Sequence, residues 1–394
     1  MRCWDNGQFM SERLTLKVLV VDDSIMYRRI IQDVLESFSG VEVVGTAENG
    51  KIAMSKAAVL KPDLMILDIE MPEMDGLEVL EHIKNGLSHT AAIVFSTFTT
   101  EGARITLRAL ELGAFDFIPK PSLGTLEENR DRLKTLVGPM LETLCRQKTK
   151  KTETVSLPEP QIVQRIPMPP AISRRGKHAS RAVGIGISTG GPVALTKLIP
   201  KIPEDIGVPI FIVQHMPPMF THAMAGKLDA ISRIAVKEAV DGETVCVNTA
   251  YIAPGGKQMK IARLGPGGHL VIRVTDDSPE NNCKPSVDYL FRSISHHYGR
   301  HATGVIMTGM GYDGTEGLRQ MKQAGAWVIA QSESTCAVYG MPRKPVEMGI
   351  VDVIAPLDLM ADEICRTILH RSPASPWTHV GSDPSPLRNP PHHA

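Results

Sequence analysis

Closely spaced cysteines are missing from this chain. The six present, Cys3, Cys145, Cys246, Cys283, Cys336 and Cys365, are scattered and form no C-x-x-C pair. That spacing gives neither a thiolate zinc ribbon nor a disulfide framework, so a reduced, cytoplasmic setting is expected. Net charge is missing too, because 43 basic residues balance 43 acidic ones. The balance removes any whole-chain electrostatic reason to expect nucleic acid or an anionic membrane as partner. No apolar run approaches the length that spans a bilayer, so no membrane insertion is expected. The opening "MRCWDNGQFMSERLTL" lacks the basic-then-apolar order of an export signal.

At 394 residues the chain is long for one domain, and two are expected. Residues 147–180 change character, with prolines at 158, 160, 167, 169 and 170 among Lys, Arg and Ser. No helical or strand period survives there, which reads as an extended linker. The stretch 371–394 is again rich in Pro and Ser and reads as a disordered tail. This leaves a first domain over 16–146 and a second domain over 181–370, with residues 1–15 as an N-terminal extension that matches nothing.

Both domains alternate short β-rich runs with helical periods. In the first, "LKVLVVDD", "VEVVGTAE", "LMILDIE", "AAIVFST" and "FDFIPKP" read as five strands. Tyr27, Ile30, Ile31, Val34, Leu35 and Phe38 recur at helical spacing between the first two. The second repeats the alternation with "AVGIGIS", "VPIFIVQH", "ATGVIMTG" and "AWVIAQS". Near-continuous apolar strands are buried on both faces, so the expected fold class is α/β with two doubly wound parallel sheets.

Ligands of doubly wound sheets collect at the carboxyl ends of the strands. Asp22 and Asp23 end the first strand, Asp68 ends the third, and Lys120 follows the fifth. Three carboxylates at adjacent strand ends repel one another unless a hard cation neutralises them, and Mg²⁺ suits such oxygen ligands. Asp68 could then attack a phosphoryl donor, with Lys120 and the cation stabilising the transferring oxygens. "VVDDS", "DLMILDIEMPEMDGLEVL", Ser96, Phe117 and "KP" together resemble the two-component receiver family over residues 16–145. The resemblance implies that Asp68 is phosphorylated with Mg²⁺ held by Asp22, Asp23, Asp68 and Glu70. It also implies that Ser96 and Phe117 act as switch residues beside Lys120, and that a histidine kinase is the phosphodonor.

The stretch "GIGISTGGP" in the second domain can be read two ways. A dinucleotide fingerprint needs a third glycine where Thr189 stands, and an acid at the end of the next strand, where "QH" stands. Both requirements fail. As G-x-S-x-G it presents Ser188 on a tight turn, with a helix starting near Pro192. His215 ends the next strand, "FIVQH", at the same sheet edge and is the candidate base. Asp313 in "GVIMTGMGYDGT" follows another buried strand and is the candidate partner of the imidazole. The order Ser, His, Asp departs from the α/β-hydrolase order of Ser, acid, His.

"GIGISTGGP", "IVQHMP", "YIAPGG", "KPSVDYLFRS" and "MTGMGYDGT" resemble the catalytic domain of the chemotaxis protein-glutamate methylesterases. By that resemblance Ser188 is nucleophile, His215 base and Asp313 its partner, with oxyanion donors from the backbone of Thr189 and Met310 and no cofactor in this half. The implied reaction is hydrolysis of γ-glutamyl methyl esters on chemoreceptor helices, with deamidation of receptor glutamines as the same acyl chemistry. Gln258 stands where the family commonly carries His. The resemblance further implies that the unphosphorylated receiver packs over the active site. Two rival readings are a non-enzymatic response regulator with a partner-binding or DNA-binding output half and an oxidoreductase built on the glycine loop. The absence of a basic, helix-turn-helix-like region opposes DNA binding.

Overall fold

A computed structural model describes residues 15–87, 89–121, 125–153 and 179–368. The N-terminal extension (apart from Thr15), most of the linker and the tail expected from the sequence lie outside the described residues.

The first domain runs β1 (Leu16–Val21), α1 (Ile25–Glu36), β2 (Val41–Ala47), α2 (Gly50–Leu60), β3 (Leu64–Asp68), α3 (Gly76–Gly86), β4 (Ala91–Ser96), α4 (Thr100–Leu112), β5 (Asp116–Pro119) and α5 (Leu126–Glu153). Its strands form a parallel sheet in the order β2-β1-β3-β4-β5. Successive strand residues face opposite sides of the sheet, which is why the strands read as continuous apolar runs. Val18 and Val20 pack with Ile31, Leu35, Leu133 and Val137, whereas Leu19 and Val21 pack with Ala53, Val79 and Leu80 on the other face. Local chemistry starts the helices: Asn49 and Thr99 cap α2 and α4, and Asp75 with Glu78 closes a capping box on α3.

The expected linker start at 147 needs correction, because α5 continues to Glu153. The segment 146–153, "RQKTKKTE", has no apolar period, but neither has it Pro or Gly. Extending an existing helix costs little when most of the residues are straight-chain helix formers, as all but Thr149 and Thr152 are here.

The second domain runs β6 (Ala182–Ile187), α6 (Gly191–Leu198), β7 (Ile210–Gln214), α7 (Phe220–Ile231), β8 (Ala235–Glu238), β9 (Thr249–Ile252), β10 (Gln258–Arg263), β11 (Leu270–Thr275), α8 (Val287–Tyr298), β12 (Ala302–Ile306), α9 (Thr315–Gln323), β13 (Trp327–Gln331), α10 (Arg343–Glu347), β14 (Val353–Ala355) and α11 (Met360–Ile368). Seven strands form a parallel sheet in the order β14-β13-β12-β6-β7-β9-β8, and β10 with β11 makes a separate antiparallel hairpin. From β6 the chain moves first to β7 on one side, with β8 at that edge outside β9, and returns to β12 on the other, so the topological switch point lies between β6 and β12. The two domains are packed together. One buried apolar cluster joins Leu107, Leu110 and Phe117 of the first with Leu195, Phe220 and Met224 of the second.

Candidate active site and phosphoacceptor pocket

In the first domain Asp22, Asp23 and Asp68 offer carboxylate oxygens that lie within 4.8 Å of one another. Asp22 and Asp68 are buried, while Asp23 faces solvent. Lys120 reaches both buried carboxylates, at 3.0 Å from Asp22 and 2.7 Å from Asp68, and its ammonium is lodged against the rings of Tyr27 and Phe95. One ammonium against three carboxylates leaves the pocket negative. Burial and the Asp22 charge raise Asp68 to about 6, against the opposing pull of Lys120. An all-oxygen, net-acidic donor set of this kind fits Mg²⁺. Glu70 is exposed, and its carboxylate does not belong to this group. Ser96 is buried at the end of β4 and accepts a 2.6 Å hydrogen bond from Thr106 Oγ1.

In the second domain the adjacent parallel strands β6 and β7 pair Ile187 with Gln214. Ser188 and His215, one residue further on, therefore emerge side by side. Ser188 sits in a turn whose backbone is held by Thr308 O at 2.9 Å and by Gly191 N–H at 2.7 Å. Gly190 adopts a left-handed φ of 76° in this turn. Gly309 lies so close that a Cβ there would stand 2.7 Å from Ser188 Cβ. Among the described residues, the backbone N–H groups of Thr189 and Met310 are not spent on internal acceptors.

Asp313 follows β12 across the switch point and is buried. His215 Nε2 is 2.9 Å from its Oδ2. Asp313 also accepts hydrogen bonds from Ser286 Oγ at 2.8 Å, Asn281 Nδ2 at 3.0 Å and the backbone N–H of Val287 at 2.6 Å. Val287 opens α8, so the carboxylate rests at a helix N-terminus, where the dipole favours negative charge. Burial alone would raise Asp313; the bonds from His215, Asn281 and Val287 outweigh it and hold the group at about 2. For His215, burial pulls the imidazole down, but Asp313 and Cys283 lift it to about 9.

The structure thus joins His215 to Asp313 and sets Ser188 beside them. Ser188 Oγ makes no hydrogen bond to His215 here. The free nitrogen, Nδ1, faces Cys283 Sγ at 3.9 Å instead. Sequence reasoning missed Asn281, Cys283 and Ser286 as neighbours of the His215–Asp313 pair, although Ser286 lies in the quoted "KPSVDYLF". Gln258, the departure noted above, bonds the N–H of Ser286 at 2.8 Å and so supports the loop beneath Asp313.

The first domain lies against this site. Thr189 Oγ1 donates to Asp116 Oδ2 at 2.7 Å, one residue from Ser188. Phe117 stacks on Phe220 with ring centroids 4.5 Å apart, and Lys227 pairs with Glu111 at 2.6 Å. Burial of an aromatic ring such as Phe220 contributes roughly 2–3 kcal/mol.

Fold and site together define a hydrolase on a doubly wound sheet, carried on one chain with a receiver domain. Residues 183–364 match the family described as CheB methylesterase, and residues 18–130 match the response regulator receiver domain. A protein-glutamate methylesterase/protein-glutamine glutaminase of Desulfotalea psychrophila is 48% identical over 360 residues, covering 90% of this chain and 98% of its own. One of the same name from Salmonella typhimurium is 39% identical over 353 residues, covering 90% and 97%. The crystal structure of the Thermotoga maritima CheB methylesterase catalytic domain aligns at 38% identity and a TM-score of 0.46, over 48% of this chain and 99% of that one. The chain belongs to the protein-glutamate methylesterase/protein-glutamine glutaminase family of chemotaxis enzymes. The non-enzymatic and oxidoreductase readings are set aside. No described helix is long and apolar enough to cross a membrane.

Proposed function

We propose that this enzyme hydrolyses γ-glutamyl methyl esters on chemoreceptor helices through Ser188, His215 and Asp313, and that its receiver domain restrains it until Asp68 is phosphorylated by a histidine kinase in the cytoplasm. Ser188 attacks the ester carbonyl as its proton passes to His215. Methanol leaves, and water regenerates the carboxylate by the same route. The backbone N–H groups of Thr189 and Met310 receive the oxyanion. Receptor glutamines are deamidated identically, with ammonia leaving. Asp313 holds the imidazole in one tautomer and stabilises its charged form. On this reading the ring turns away from Cys283 to offer Nδ1 to Ser188; catalytic hydrogen bonds commonly tighten only when substrate arrives.

In the receiver, Mg²⁺ bound by Asp22, Asp23 and Asp68 would supply charge neutralisation for an incoming phosphoryl group. The chain's own residues do the remainder. Lys120 pairs with the phosphoryl oxygens and Ser96 turns its hydroxyl toward them. Phe117 repacks behind it, a local charge event that biases a two-state interface. The observation that carries this reading is the contact of Asp116 and Phe117 with Thr189 and Phe220, beside the proposed nucleophile. Moving Phe117 breaks its stack on Phe220, and a change of a few kcal/mol is enough to shift an interface of ordinary intrachain size. With Asp68→Asn, the ratio of methanol release with and without a small phosphodonor is expected to fall to about one. Surviving stimulation would overturn the control scheme.

A further expectation concerns Asp116. Burial raises its carboxyl to about 6, although bonds from Thr189 and the Phe117 N–H oppose the rise. Part of that burial comes from the second domain, so the docked form binds the proton more tightly. Docking is therefore favoured most below the ordinary value of 3.8 and weakens as pH rises through about 6. Asp116→Asn removes the buried charge and keeps the shape. It should tighten docking at neutral pH and lower the unstimulated rate by up to about tenfold, since one pKa unit corresponds to about 1.4 kcal/mol. Limited proteolysis of the interdomain segment against pH reads the same equilibrium. An Asn variant whose cleavage still tracks pH through about 6, as the parent does, would remove Asp116 from the explanation.

A further inference from the structure

We propose that Cys283 and His215 form an inhibitory site for a soft divalent cation, with Zn²⁺ as the expected occupant. The inference rests on the reading of His215 as the base. Cys283 Sγ lies 3.9 Å from His215 Nδ1. Two ligands of a tetrahedral zinc ion, at about 2.3 Å for sulfur and about 2.0–2.1 Å for nitrogen, stand roughly 3.6 Å apart. The observed spacing needs only a few tenths of an ångström of closure. The thiol, one ring nitrogen and an Asp313 oxygen all lie within 4.8 Å of one another, and among the described residues no other cysteine belongs to such a group.

The surroundings favour a metal as well as the spacing. Asp313 sits on Nε2, so Nδ1, on the Cys283 side, is the nitrogen a cation takes in exchange for its proton. A carboxylate behind a histidine is the usual support for a metal-binding imidazole. Cys283 is held in place by a tight turn. Its backbone exchanges hydrogen bonds with Glu280 at 2.7 and 3.1 Å, and Glu280 is paired with Arg292. The Asn281 side chain, inside the same turn, is pinned to Asp288 and Asp313. One sulfur and one nitrogen donor select zinc over the hard cation expected in the receiver pocket. Binding releases the thiol proton, and the Nδ1 proton of a charged imidazole, to solvent and involves no redox step. The bound ion occupies the nitrogen that Asp313 leaves free, so the imidazole can no longer take the serine proton.

The test uses the full chain in zinc-buffered solution, with methanol release from a methylated receptor measured at each free Zn²⁺ level. Binding is read separately from the thiolate-to-cobalt charge-transfer absorption on titration with Co²⁺. The parent protein should lose at least about tenfold in rate as zinc saturates, and Cys283→Ser should need about tenfold more zinc for the same fractional loss. The cobalt band should be present in the parent and lost in both Cys283→Ser and His215→Ala. Equal zinc sensitivity of parent and Cys283→Ser, or a cobalt band that survives in Cys283→Ser, overturns the site. A cobalt band with the expected variant pattern but no zinc effect on rate upholds the site and instead refutes His215 as the base.

Discussion

Ser188→Ala is expected to lower methyl-ester hydrolysis by at least about four orders of magnitude while the chain stays folded. The expectation follows from what the hydroxyl does and does not touch. Its backbone N–H is bonded to Thr308 O and its carbonyl to Gly191 N–H, and both bonds persist in alanine. Among the described residues its Oγ makes no hydrogen bond, so removing it leaves no buried partner there unsatisfied. The stability change should stay within about 0.5 kcal/mol, as for substitutions that disturb neither packing nor a polar network. Methanol release gives the rate and thermal unfolding gives the stability. Turnover retained in a folded Ser188→Ala protein would reject serine as the nucleophile.

Asp313→Asn should cost about 10⁴-fold in kcat, the scale seen when a triad loses the charge that orients its imidazole. Here the loss has a further cause. Asp313 accepts from Ser286, Asn281 and Val287 as well as from His215, so its carboxylate oxygens are filled by donors. An amide must present an N–H₂ group to one of those donors. The variant therefore either turns the imidazole or loses a buried hydrogen bond, at roughly 1–3 kcal/mol of stability. The pH profile separates the electrostatic role from simple disruption. With its anionic partner gone, His215 should titrate well below about 9 and nearer its ordinary 6.5. The rising limb of the residual rate against pH should then move to lower pH. A variant with a large rate loss and an unmoved limb would show that the carboxylate acts only as scaffolding.

Much of this architecture was legible in the linear chain because the evidence for it is local. Strand runs such as "LMILD" are apolar at every position, since helices cover both faces of the sheet. Asp22, Asp68, Ser188 and His215 each stand at or just beyond the end of such a run, and Asp313 lies in the loop that follows another. In a doubly wound sheet that position alone brings them to the carboxyl edge. The short strands β8, β9 and β14 escaped notice because three or four residues carry too little period to stand out. The end of α5 was placed too early because a solvated helix extension has no apolar stripe to reveal it.

Chain order and residue type therefore decided the two sheets, the acidic pocket and the strand-end placement of Ser188 and His215, because hydrophobic period and strand-end chemistry are written within a few neighbours. Which nitrogen of His215 meets Asp313, that Cys283 faces the other, and that Asp116 lands on Thr189 were decided only in three dimensions. Those contacts join residues 98, 68 and 73 positions apart. They depend on the packing of separately built elements, and no short-range pattern encodes such packing.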